Sequence, residues 1–114
     1  MKNIHFICKK DDESSGNKGL RRIDKDNHIW ISGYWDFNPE ELKDLVGGFI
    51  YLHRTKSKKS FFGGKVLEII PTQRDELKRK NRVDIKFTAD NSARDVPWSK
   101  EGKSYNMAYT SGLV

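Results

Sequence analysis

The segment from Asn38 to Gly48 constrains this chain most, because it punctuates a short helix at both ends. Asn38 can cap the first turn, Pro39 suits the first helical position, and Glu40 and Glu41 complement the positive end of the helix dipole. Leu42, Leu45 and Val46 supply an apolar stripe at i, i+3 and i+4. Gly47-Gly48 stops the helix, since glycine tolerates the left-handed conformation that ends helices. A helix of two or three turns is not stable alone, so this one must lie on a sheet.

The flanking residues supply that sheet. Residues 4–8 and 28–35 read as strands, the second with Ile29 and Ile31 on one face and His28, Trp30 and Ser32 on the other. Residues 49–54 place Phe49, Tyr51 and His53 on one face and Ile50, Leu52 and Arg54 on the other. Residues 61–70 form a further strand in which Gly63-Gly64 suggests a bulge or sharp bend, and Pro71 ends it. Residues 82–88 alternate most cleanly, with Val83, Ile85 and Phe87 opposite Asp84, Lys86 and Thr88. Residues 105–109 are a candidate last strand. Residues 9–19 are polar and read as a mobile loop, and 72–81 as a charged loop with at most one helical turn.

At 114 residues the chain is one domain, 1–114. The order of elements predicts a mainly β (α+β) fold: a small closed or partly open β-barrel of five or so strands, with one short helix at its end. Closure would remove exposed sheet edges. Only 35% of residues are apolar, yet three Trp, four Tyr and six Phe supply material for a core. No apolar run reaches the length of a membrane helix, so no membrane partner is expected. The apolar stretch near Met1 is too short for a signal peptide, and the expected compartment is cytoplasmic. One cysteine excludes an internal disulfide framework and a multi-cysteine zinc site. His5, His28 and His53 lack ligand spacing, and Gly16 and Gly19 are followed by no Gly-Lys-Ser/Thr, so neither metal nor cofactor is expected. The net charge of +6 favours an anionic partner, nucleic acid first.

The run Leu45-Val46-Gly47-Gly48-Phe49-Ile50-Tyr51-Leu52-His53-Arg54 resembles the helix, glycine turn and apolar strand of PUA-like domains, especially the EVE and ASCH groups. Phe61-Phe62-Gly63-Gly64-Lys65-Val66-Leu67-Glu68 and Arg82-Val83-Asp84-Ile85 resemble the two strands that follow there. The similarity spans about residues 28–88. It departs at the turn, where Gly48-Phe49 stands for the usual Gly-Asp, and the long N-terminal segment of full EVE domains is lacking. The resemblance implies binding of DNA, RNA or a nucleotide, often by reading a modified or flipped-out base in an aromatic pocket.

The physical requirements point to particular residues. An unstacked base needs a flat ring, worth about 1–3 kcal/mol, and phosphates need lysine or arginine nearby. Trp35, Tyr51, His53 and Trp98 are the candidate ligand-binding rings. Trp35 could equally pack on the helix, His53 could be an ordinary hydrogen-bonding histidine, and Trp98 could cap the barrel. Arg54, Lys56, Lys58, Lys59 and Ser60 form the densest basic, hydroxyl-bearing cluster and are the phosphate-binding candidates. A solvated hairpin tip is the plainer reading of the same charges. Lys78, Arg79, Lys80 and Arg82 form a second cluster diluted by Asp75 and Glu76. Catalytic residues are not legible: Cys8 has no evident base partner and reads as a small buried hydrophobe. A protein-interaction or inhibitor domain acting on an acidic protein partner is the alternative function, and an enzyme is the least favoured.

Overall fold

The computed structural model describes residues 2–9, 19–72, 82–99 and 109–114. Strands run over Ile4–Ile7 (β1), Leu20–Asp24 (β2), Ile29–Trp35 (β3), Phe49–His53 (β4), Phe62–Thr72 (β5), Arg82–Ala89 (β6) and Thr110–Leu113 (β7). They form one sheet in the order β2-β3-β6-β5-β4-β1-β7. The pairing of β1 with β4 is parallel and the other ladders are antiparallel. The mainly β fold with a short helix is as expected, with seven strands among the described residues rather than about five.

Apolar alternation builds the core. Ile4 and Phe6 of β1, Ile50 and Leu52 of β4, Val66 of β5, and Val83, Ile85 and Phe87 of β6 are all buried in one cluster. The sheet coils around them. Phe6 stacks on Trp35 at 4.0 Å between ring centroids, although three strands separate β1 from β3 in the sheet. In a flat sheet those strands would stand roughly 19 Å apart at the usual strand spacing.

A closed barrel is not formed. β1 is already paired on both edges, by β4 and β7, and β3 by β6 and β2. Only a β2–β7 ladder could close the cylinder, and none is made among the described residues. The sheet is therefore strongly coiled but open. No described helix is long and apolar enough to cross a membrane.

The predicted helix is a 3-10 helix, Pro39–Leu45. Asn38 accepts from the Glu41 N–H, and the Glu41 carboxylate accepts from the Asn38 N–H, so the capping box is complete. Leu42 and Leu45 enter the core. Val46 leaves the expected stripe, because it is the extended C-cap and 45% exposed. Gly47 then turns with φ 89°, and Gly47 and Gly48 exchange hydrogen bonds with Val66 of β5.

Three further expectations change or fall elsewhere. β2 was not expected, since Leu20 and Ile23 are its only apolar residues and most of it is exposed edge. A described last strand runs over Thr110–Leu113, and the candidate at 105–109 lies, apart from Tyr109, outside the described residues. Most of the predicted loops at 9–19 and 72–81, including Lys78, Arg79 and Lys80, lies outside the described residues. At Gly63-Gly64 the glycines serve close approach: a Cβ would lie 2.1 Å from the Ile50 carbonyl oxygen at Gly63 and 1.9 Å from that of Thr88 at Gly64. The β5 register shift comes later, between Val66 and Glu68.

Candidate functional site

The period of two along β4 decides where the site lies. Ile50 and Leu52 point into the core, so Phe49, Tyr51 and His53 must occupy the opposite face. The parallel ladder sets His5 of β1 beside Tyr51, and Ile7 beside His53. Because Ile4 and Phe6 face the core, His5 joins the Tyr51–His53 face. His5 lies 4.8 Å from Tyr51 and 5.0 Å from His53 between ring centroids.

A loop brings the fourth ring. Ser60 is buried, and its hydroxyl donates to the Ala93 carbonyl at 2.6 Å and accepts from the Val96 N–H at 2.9 Å. Its backbone also pairs with Asp95 and Val96. This anchor leads the chain through Pro97, so that Trp98 sits 5.5 Å from His5 and 5.0 Å from His53. The Lys56 ammonium lies 5.6 Å from the centre of the Trp98 ring, within cation–π range.

The two histidines form a directed pair. His53 Nδ1 lies 2.8 Å from the Lys58 carbonyl oxygen, which can only accept, so Nδ1 carries the proton. In neutral His53 the Nε2 is then an acceptor. It accepts a hydrogen bond from the His5 Nδ1–H across 2.7 Å. His5 Nε2 is left as the lone pair of the relay. Burial and the neighbouring His53 lower the His5 pKa to about 4, and burial lowers that of His53. Burial also raises the Tyr51 hydroxyl. At neutral pH the face therefore consists of uncharged rings beside a lysine cation.

Of the candidate residues, Tyr51, His53 and Trp98 gather around His5, and Lys56 stands beside them. Lys58 and Lys59 are exposed on the same turn, and Lys58 also supports His53 through its carbonyl. Arg54 stacks over Phe61 at 3.9 Å and donates to the Cys8 carbonyl at 3.2 Å. Ser60 serves the fold, since both functions of its hydroxyl are used inside. Trp35 is not part of the cluster. It lies against Phe6 on the core face of β1, with its indole N–H donating to Ser32 Oγ at 2.9 Å. It also lines a groove of about 390 Å³ beside Cys8, Lys9, Gly19 and Tyr109. Cys8 is buried and its thiol is pushed up to about 11, in keeping with an inert hydrophobe.

His5 was missed as a site residue. Its alternation with Ile4 and Phe6 was readable, but its partner strand was not. No group of three or more metal-ligating side chains occurs among the described residues. Against models of protein families, curated proteins and solved structures, the chain finds no match.

Proposed function

We propose that this chain is a nucleic-acid- or nucleotide-binding module that stacks a base on Tyr51 and Trp98. One observation carries the reading: two half-buried aromatic rings share a face with a buried histidine pair, and Lys56 stands over one of them at the root of an exposed lysine turn. A planar, uncharged ring gains from stacking there, and its phosphate lies within the field of Arg54, Lys56, Lys58 and Lys59. The His5 Nε2 lone pair can accept one edge donor of the base. Reading of a modified or flipped-out base, and kinship with PUA-like domains, are finer forms of the same proposal. The order of helix, glycine turn and strand supports that kinship.

The test is oligonucleotide binding across a salt series. Affinity should fall as salt rises, and Lys58→Ala with Lys59→Ala should together flatten that dependence by roughly 1.4–1.8 units of slope. Absence of salt-sensitive binding to any DNA or RNA, modified or not, would refute the reading. Capture of a protein that survives nuclease treatment would favour the acidic-partner alternative instead.

A further inference from the structure

Away from the ring face described above, a groove of about 310 Å³ opens where β3, β5 and the 3-10 turn Asn91–Ala93 meet. It runs on into a second hollow of about 310 Å³ that shares Trp30, Phe62 and Arg94 with it. Trp30 and Phe62 meet edge to face, 5.0 Å between centroids, and both are half-buried. The exposed Arg22 guanidinium lies 5.8 Å from the Trp30 ring centre, and the exposed Arg94 guanidinium 5.6 Å from that of Phe62.

Polar groups stand ready at the rim. The Asn91 side chain and the His28 ring, both exposed, make no hydrogen bond among the described residues. His28 holds a left-handed backbone at φ 56°, uncommon for a residue other than glycine. It is fixed there by the Ala89 N–H, which donates to its carbonyl at 2.8 Å. Among the described residues the groove holds one carboxylate, Asp90, which is turned to the backbone N–H and hydroxyl of Ser92 at 2.9 and 2.8 Å. The lining is therefore cationic overall, with ring faces at its floor.

We infer that this groove is a second binding site, for a nucleoside phosphate. Trp30 takes the base, Arg22 and Arg94 take the phosphate, and Asn91 and His28 meet the polar edge. An acidic peptide would satisfy the arginines but leave the rings unused. The inference rests on the nucleic-acid reading and adds a substrate class: the strand must be single, because a paired base cannot turn its face to Trp30.

The test uses the full chain and three probes: an eight-nucleotide single strand, the same sequence as a duplex, and adenosine 5′-monophosphate. The expected result is tighter binding of the single strand than of the duplex, and about tenfold weaker binding of the single strand by Arg22→Ala/Arg94→Ala. These arginines are exposed, so folding is not at issue, and Asn91→Ala gives an independent variant expected to weaken binding in the same sense. An equal loss with the mononucleotide identifies a free nucleotide as the ligand; a loss confined to the oligonucleotide identifies a strand. Single-strand affinity unchanged in the arginine variant, while Lys58→Ala/Lys59→Ala weakens it, overturns the second site and leaves the first. A polyglutamate peptide that competes as well as the single strand also overturns it. If the parent protein binds none of the three probes, both readings fall.

Discussion

Acid should destabilise this protein through the His5–His53 pair. The His5 pKa falls from an ordinary 6.5 to about 4 on folding, because burial and His53 disfavour the cation. Between those values the unfolded chain binds a proton that the native chain refuses. The His5 contribution is therefore complete above pH 6.5, falls as pH drops through this window, and is exhausted near pH 4. The full shift is worth about 3 kcal/mol, and partial solvent screening reduces the expected loss to about 2 kcal/mol by pH 4.5. His53, lowered by burial, adds in the same sense. Asp24 and Asp90 are held below the ordinary carboxylate value by hydrogen bonds from Asn27 and Ser92, so they titrate beneath the window. The assay is urea unfolding at pH 7 and pH 4.5 for the parent and for His5→Gln, which cannot take up the proton. The parent should lose about 2 kcal/mol between the two conditions and His5→Gln less than half of that. Equal losses in the two proteins would refute the assignment, as would a parent whose stability does not change.

Further outcomes follow from the packing. Gly33→Ala should destabilise by about 2 kcal/mol or more in thermal unfolding, since its Cβ would lie 2.1 Å from the Asp84 carboxylate. Ser60→Ala should cost about 1–3 kcal/mol, because the Ala93 carbonyl and Val96 N–H lose their shared partner. It should also change the Trp98 environment, visible as a shift in tryptophan emission. Cys8 should react with a maleimide far more slowly than the unfolded chain does at pH 8, because its thiol is buried and raised to about 11.

Much of the fold was legible because it depends on local chemistry. The Asn38 cap, the Gly47-Gly48 stop and the alternation in β4 and β6 each carry their own physical signature, and each lies where those signatures put it. Helix type was not legible, since a short 3-10 helix, with its i→i+3 bonds and about three residues per turn, takes the same cap and the same apolar residues at i and i+3 as an α turn does. Val46 shows this: one residue past the helix, it turns to solvent. β2 escaped notice because an exposed edge strand needs no apolar alternation. The burial of Asp84 among alternating residues was also unreadable, since it depends on Gly33 in a neighbouring strand leaving room for a carboxylate.

The site divides along the same line. Tyr51 and His53 share a face by strand periodicity alone. Their meeting with His5 needs the parallel β1–β4 ladder, a contact 46 residues apart in sequence that no local pattern encodes. Trp98 reaches them through the Ser60 anchor, so the hydroxyl that looked like a phosphate contact instead places the ring. Trp35 looked like a pocket wall because it ends a strand. The coiling of the sheet puts it on Phe6, behind the site rather than in it.

Ultraviolet crosslinking of a bound single strand, followed by mapping of the attached peptides, interrogates the proposed binding face without substituting any residue. Adducts on Tyr51 or Trp98, with protection of Lys56, Lys58 and Lys59 from acetylation, are the outcome expected. Adducts confined to other surfaces, with those lysines still fully reactive, would contradict it.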